Sequence, residues 1–212
     1  PYTLIGFSTP TPEGGVEGDL VLLEDGENQD FKCKLVLTRN GARGVRKSLL
    51  RKGALGIISD SGSEHFPDAV TWQRFGWGGW RRDDAARCFG FSLSREAGDR
   101  LRELLRRHRR VRLRAEVRTR LEPGVVPAVT GVVRGGSLTD QEILMMAHAF
   151  EPGAVDNASG CAVGLEVARA LARLSRASRP IPLQRSIRFL FAYECFGDVD
   201  YLRHIGKPFG HI

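Results

Sequence analysis

Three polar side chains in the second half of the sequence have types that could hold a metal ion. His148 follows the apolar segment 143–147, Asp156 lies in the next predicted loop, and Glu194 follows the apolar segment 187–192. Imidazole nitrogens and carboxylate oxygens are ligands that suit zinc. If the two segments are neighbouring parallel strands, their carboxyl ends meet at one edge of a sheet, where α/β proteins form their sites. The pattern therefore predicts a candidate metal centre at this edge.

Each of these residues also has an ordinary structural interpretation. His148 alone is compatible with a hydrogen-bonded core histidine. Asp156 alone is compatible with a helix N-cap, because the three residues after it begin a predicted helix. Glu194 alone is compatible with a surface carboxylate. Composition and spacing by themselves leave the metal centre and these alternatives open.

The elements that must position the three residues alternate between strands and helices. Apolar residues at helical spacing predict helices, and short apolar runs predict buried strands. Gly53 is a predicted C-terminal stop for one helix, and Ser94 is a predicted N-cap for another. The order predicts an α/β fold. Predicted strands cover 20–23, 33–38, 55–59, 89–93, 128–133, 142–147 and 187–192, and predicted helices cover 41–52, 157–174 and 198–204, besides one that follows Ser94. In the helix 157–174, the residues expected to face inward are Leu165, Ala168, Leu171 and Ala172.

Two irregular segments divide the chain. Residues 122–127 contain Pro123, Gly124 and Pro127, and we predict a domain boundary there, between residues 1–124 and 125–212. Residues 60–87 lack periodicity and contain three tryptophans. This loop is either a binding lid or a hydrophobic plug that covers the sheet, and we favour the plug. The tryptophans are Trp72, Trp77 and Trp80.

The net charge of +7 is concentrated in one segment of the 212-residue chain. Residues 100–120 hold ten arginines against Glu103 and Glu116, so the rest of the chain is close to neutral. Leucines at helical spacing, followed by alternating apolar and charged residues, predict a helix and a half-buried strand with solvated arginine faces. No aromatic residue interleaves with the arginines, as single-stranded nucleic acid would require. We therefore expect no nucleic-acid partner.

Cysteine spacing and hydropathy bear on the cellular context. The four cysteines form no CxxC pair, and Cys33, Cys88 and Cys161 lie in apolar surroundings that predict small core residues. Free cysteines favour a reducing compartment and hence a cytoplasmic location. No apolar run approaches the roughly 18 residues of a membrane span, so no membrane partner is expected. The sequence does not indicate an oligomeric state.

The sequence segments around the candidate ligands are more specific than the types of the three residues alone. Ala147-His148 is followed by the loop PGAVDNASG at 152–160, and the strand RFLFAYE at 188–194 has Gly197 three residues on. These segments resemble zinc aminopeptidases of the bacterial leucyl-aminopeptidase and glutamate-carboxypeptidase clan. Segments 34–39, 41–44 and 53–60 resemble a protease-associated (PA) domain. The resemblance implies a PA-like α/β module over 1–124, then the first part of a three-layer αβα zinc-peptidase domain over 125–212.

The resemblance also implies a role for each candidate residue. His148 would bind one zinc ion and Asp156 would bridge two ions. Glu194 would be the general base that takes a proton from metal-activated water, or else a metal ligand. The implied activity is that of a metallo-aminopeptidase, a hydrolase that uses one or two zinc ions to remove N-terminal residues from a peptide substrate.

The sequence departs from the family pattern at two positions. The family usually has an Asp two residues after the His, to orient the imidazole; here Phe150 stands there and cannot accept a hydrogen bond. Glu151 is the candidate to take that role. The family usually carries two adjacent Glu, whereas here Glu194 is followed by Cys195, which is an alternative thiolate ligand.

Further ligands of the family, an Asp and a late His, are expected beyond residue 212. His204 and His211 are not expected to replace them. Three other functions remain as alternatives. A catalytically inactive, peptidase-like binding or scaffold protein would account for Phe150 and the single Glu. The others are a hydrolase that acts on a non-peptide amide and an RNA-binding module that uses the arginines of residues 100–120.

Overall fold

A computed structural model describes residues 3–23, 29–76, 88–120, 122–177 and 182–205 of the protein. The chain divides into two compact units, Pro1–Glu122 and Pro123–Ile212. Within the described ranges, no helix combines the length and apolar character that crossing a membrane requires. Of the predicted tryptophan loop, Trp72 lies within the described residues, whereas Trp77 and Trp80 lie outside them.

The first unit is built around a five-stranded sheet with the strand order β4-β3-β2-β1-β5. Strands β1 to β4 are parallel to their neighbours, and β5 runs antiparallel to β1. The strand–helix–strand order predicted from the sequence is confirmed. The elements are β1 (Val16–Leu22), β2 (Lys34–Thr38), α1 (Ala42–Arg51), β3 (Gly56–Ser59), β4 (Phe89–Ser92), α2 (Arg95–Arg107) and β5 (Arg112–Ala115).

Alternation along the central strands sends apolar side chains to both faces of this sheet. Val36 and Ile57 pack in a cluster with Leu49 of α1. Leu37 and Ile58 pack in a second cluster, against which Leu101 and Leu105 of α2 lie. A parallel sheet buried on both faces is expected to have continuous apolar strands, and the runs in β2 and β3 have this character.

Helix α2 carries much of the arginine-rich segment. The Oγ of Ser94 accepts a hydrogen bond from the N–H of Ala97, so the predicted N-cap is confirmed. The prediction of a solvated arginine face is wrong for one residue. Arg102 turns inward and forms a two-fold ion pair with Asp60, whose side chain is fully buried. Gly98 makes this possible, because a Cβ there would lie 2.1 Å from Asp60 Oδ2.

The second unit contains a three-stranded sheet with the order β6-β8-β7. Strands β7 and β8 are parallel, and β6 is antiparallel to β8. The α/β fold class is therefore confirmed. Strand β7 begins earlier than predicted, with an irregular register between Leu138 and Glu142. The elements are β6 (Val129–Val133), β7 (Leu138–Ala149), α3 (Ala158–Leu174), β8 (Arg185–Tyr193) and α4 (Phe196–Ile205).

Helix α3 packs on the sheet through a small residue. Gly164 is its buried position, and a Cβ there would lie 3.0 Å from the ring of Phe191. The close approach at Gly164 turns the next side chain outward, since each helical residue rotates by about 100°. The prediction that Leu165 faces inward is therefore wrong, because its side chain is 59 % exposed. Ala168, Leu171 and Ala172 are half-buried, as the predicted inward stripe requires.

The four cysteines are free thiols. Cys88 is buried, as predicted, and Cys161 is half-buried. The prediction of a core position is wrong for Cys33, which is exposed. It has a φ of 58° in the turn before β2, so the local backbone rather than the apolar neighbours decides its exposure.

Candidate metal centre

The ends of strands β7 and β8 position the candidate residues. His148 pairs in register with Ala192 of the parallel neighbour, one residue before β7 ends at Ala149. Glu194 follows directly after Tyr193, the last residue of β8. The two strands are parallel neighbours, which is the condition that the predicted site requires, and the pairing brings the imidazole and this carboxylate to the same edge of the sheet.

The candidate donors lie close together at this edge. His148 Nε2 is 2.7 Å from Asp156 Oδ1 and 3.7 Å from Glu151 Oε2. One donor atom each from His148, Glu151 and Glu194 lies within 4.8 Å of the other two, and these residues form a group that could hold a metal ion. Asp156 contacts the imidazole but lies outside this group of three.

The loop between β7 and α3 fixes two carboxylates in different environments. The side chain of Glu151 is 2 % exposed and that of Asp156 is 75 % exposed. Asn157 stands at the N-cap position of α3, but its Nδ2 donates to Glu151 Oε2 instead of capping the helix. Because Asn157 holds that position, the alternative interpretation of Asp156 as the N-cap is wrong.

A glycine allows the loop to turn this tightly. A Cβ on Gly153 would lie 2.0 Å from the backbone oxygen of Asp156, a distance that no side chain tolerates. The N–H of Ala158 then donates to the backbone oxygen of Gly153 at 3.2 Å. The peptide bond between Asp156 and Asn157 is cis. Gly153 therefore sets the path that brings Asp156 back toward His148.

Negative charge surrounds the imidazole. The hydrogen bond from the imidazole to Asp156 raises the pKa of His148 above its ordinary value, and the charges of Glu151, Asp156 and Glu194 act in the same direction. Partial burial opposes the increase, because it disfavours the charged form. An environment that favours a proton on the imidazole also favours a divalent cation in its place.

One residue shortly after each strand end adopts an uncommon backbone conformation. Phe150 has a φ of 82° and Cys195 has a φ of 59°, both in the left-handed region. The ring of Phe150 lies 6.4 Å from that of Tyr193, centroid to centroid. Phe150 therefore makes an aromatic contact between the two strand ends.

The other sequence candidates lie outside the donor group. Cys195 is exposed, and neither it nor His204 of α4 belongs to the group found among the described residues. His211 lies outside the described residues. The ligand set predicted from the sequence omits Glu151. The signal for it is a carboxylate three residues after the candidate histidine, at the point where the chain leaves the strand.

A cleft of about 510 Å³ reaches His148 from the side of α3. Its walls are mostly apolar, with Val163 and Phe191 on facing elements, and Asn157 adds a polar group near the imidazole. The cleft gives a second molecule access to the edge where the donors meet.

The sequence of the second unit is similar to a known family. Residues 128–193 match Peptidase family M28. The M28 match runs from the start of β6 to the end of β8. It includes His148, Glu151 and Asp156, and it ends one residue before Glu194. No curated protein sequence matches the chain.

Solved structures resemble the whole chain. The peptidase M28 precursor of Shewanella amazonensis SB2B is 20 % identical, with a TM-score of 0.62, over 97 % of this chain and 52 % of its own. A candidate peptidase of Clostridium acetobutylicum is 16 % identical, with a TM-score of 0.54, over 96 % of this chain and 34 % of its own. The chain thus has the fold of these proteins and spans about half the length of the first and a third of the second.

Proposed function

We propose that this chain belongs to a zinc-dependent aminopeptidase, which removes N-terminal residues from peptides. One observation carries the proposal: His148, Glu151 and Glu194 present donor atoms within 4.8 Å of one another at the carboxyl edge of parallel strands. The M28 match over 128–193 supports the class of reaction, a peptidase-type hydrolysis.

The donor set suits zinc. Zinc binds imidazole nitrogen and carboxylate oxygen at about 2.0–2.2 Å, so two ligand atoms of a tetrahedral ion stand roughly 3.4 Å apart. A group whose donor atoms lie within 4.8 Å of one another needs only small side-chain adjustments to reach that spacing. When bound, zinc lowers the pKa of water and polarises a substrate carbonyl.

The side chains around the ion have separable roles. His148 would bind zinc through Nε2, the atom that faces Asp156 and Glu151. Asp156, which is largely exposed, would extend the site outward and bridge to a second ion. Glu194, half-buried at the end of β8, would accept the proton of the attacking water and deliver it to the leaving amine.

The aminopeptidase class rests on the resemblance of segments 147–148, 152–160 and 188–194 to zinc aminopeptidases. An α-amino group has a pKa of roughly 7.7–8.0, so a fraction of it is uncharged at neutral pH and would be able to contact a bound metal ion.

Domain assignments follow from this proposal. Residues 1–124 are a PA-like module, which the five-stranded α/β sheet of the first unit supports. Residues 125–212 are the N-terminal part of the zinc-peptidase domain, which the M28 match supports.

The test measures zinc content and hydrolysis together in the full-length protein that contains this chain. His148→Ala and Asp156→Ala should abolish both, whereas Asp140→Asn, which alters an exposed carboxylate of the same unit, should abolish neither. Zinc retained by both alanine variants contradicts the ligand assignment. A panel of aminoacyl amides, each with a free or an acetylated amine, tests the exopeptidase class, and equal rates for the two forms contradict it.

A further inference from the structure

Glu151 has no role in the ligand set proposed from the sequence, yet its carboxylate lies inside the donor group. We propose that Glu151 binds the metal ion directly, together with His148 and beside Glu194 as the general base. The inference rests on the proposed metal centre and adds a ligand to it.

The spacing of Glu151 from the imidazole is that of two ligands of one ion. Its Oε2 is 3.7 Å from His148 Nε2, close to the roughly 3.4 Å between two ligand atoms of tetrahedral zinc. Asp156 Oδ1, at 2.7 Å from the same nitrogen, stands at hydrogen-bond distance and must move away before both can bind one ion. Glu151 therefore needs less movement than Asp156 to become a ligand.

The burial of Glu151 also indicates a cation. Its side chain is 2 % exposed, and a donor oxygen of Glu194 lies within 4.8 Å of its own. Two carboxylates at such a distance repel, and removing one of them from water adds a further cost. A divalent cation between them converts the repulsion into attraction. The arrangement is thus more favourable with a metal ion than without one.

A hydrogen bond fixes the carboxylate in this orientation. Asn157 Nδ2 donates to Oε2 of Glu151, the oxygen that faces His148. Carboxylates that bind metals are commonly oriented by such contacts. The same contact defines the competing explanation, in which Glu151 only holds Asn157 at the start of α3.

The variant Glu151→Gln separates these explanations in the full-length protein that contains this chain. Glutamine keeps the shape, and its amide oxygen can still accept from Asn157, but the anionic ligand is lost. We expect zinc affinity, measured by chelator competition, to fall by more than about 100-fold, beyond the effect of losing a residue that only orients a ligand. The absorption spectrum of the Co²⁺-loaded protein should also change, because it reports the ligand set.

A metal-free measurement completes the test. Because Glu151→Gln removes one of two neighbouring carboxylates, the melting temperature of the variant in chelator should equal or exceed that of the unchanged protein. A lower melting temperature with unchanged zinc affinity and Co²⁺ spectrum assigns Glu151 a structural role and overturns the inference. Failure of Glu151→Gln to fold overturns it as well.

Controls distinguish this inference from the proposed function. Asp140→Asn should keep the zinc affinity and Co²⁺ spectrum of the unchanged protein. Unchanged zinc binding by Glu151→Gln overturns the role of Glu151 and leaves the proposed function standing. If the unchanged protein binds no zinc, both fail together.

Discussion

Glu142 and Arg188 form a two-fold ion pair between the neighbouring parallel strands β7 and β8. Arg188 Nε donates to Glu142 Oε2, and an Nη donates to Oε1, each at 2.8 Å. The side chains are 14 % and 23 % exposed, so the pair is largely removed from solvent. It lies in the strands that carry His148 to the sheet edge, and it supports their register.

Replacing the arginine of this pair should destabilise the second unit. Arg188→Met removes the guanidinium from a largely buried carboxylate, which costs about 2–3 kcal/mol of the free energy of unfolding. Hydrogen exchange of the β8 amides measures the change, because the second unit contains no tryptophan for fluorescence. Glu166→Gln, in the exposed pair with Arg169, is the matched control and should leave exchange unaltered. Equal effects of the two substitutions would contradict a role for the buried pair.

Two helical glycines should respond in opposite directions to alanine. Gly98→Ala places a methyl group within 2.1 Å of Asp60 Oδ2 and should cost about 1–3 kcal/mol of stability, because α2 must shift. Gly44→Ala in α1 meets nothing within 4 Å and should stabilise by roughly 0.5–1 kcal/mol through helix propensity. Urea unfolding followed by tryptophan fluorescence compares them. If Gly98→Ala left the stability unchanged, α2 would approach Asp60 less closely than described.

Thiol reactivity should separate the cysteines by burial. Burial raises the pKa of Cys88 to about 12, so this thiol stays protonated at pH 8 and is shielded from reagent. Cys33 and Cys195 are exposed and should alkylate within minutes in the native protein. Mass spectrometry after brief iodoacetamide treatment identifies the modified residues. Rapid native labelling of Cys88 would refute its core position, and labelling in denaturant provides the reference.

The histidine at the sheet edge should titrate above its ordinary pKa of 6.5 in metal-free protein. Asp156→Asn replaces the charged acceptor of the hydrogen bond that contributes most to this increase with a neutral one and should lower the pKa of His148. Because folding raises this pKa, the stabilising contribution is complete below about pH 6.5 and is lost as pH rises through the folded-state value. NMR titration in the presence of chelator measures both proteins. An identical titration midpoint for the two would refute the contribution of Asp156.

Much of the fold follows from local sequence, because the strands are continuous apolar runs and the helices have clear ends. The parallel pairing of β7 and β8 follows from strand–helix–strand order, and the Ser94 cap follows from its position. The wrong predictions concern residues whose exposure depends on the distance between two elements. The outward turn of Leu165 depends on how closely Gly164 approaches Phe191, and no local pattern encodes that distance.

The candidate site was only partly predictable for the same reason. His148 and Glu194 could be chosen because each stands at the end of an apolar run. The membership of Glu151 depends on the left-handed turn at Phe150, which an aromatic residue does not signal. The buried ion pair of Asp60 and Arg102 could not be predicted either, because the two residues are 42 positions apart in sequence.

The left-handed residues Phe150 and Cys195 have a consequence for the strength and selectivity of metal binding at the proposed centre. Each adjoins a carboxylate of the donor group, and each has a backbone conformation that residues other than glycine rarely adopt. Such positions persist where the surrounding structure holds them. The carboxylates are therefore preorganised, so binding a metal ion would cost less conformational entropy than it would in a flexible loop. A frame of this kind discriminates between ions by radius, since it cannot widen freely for a larger one.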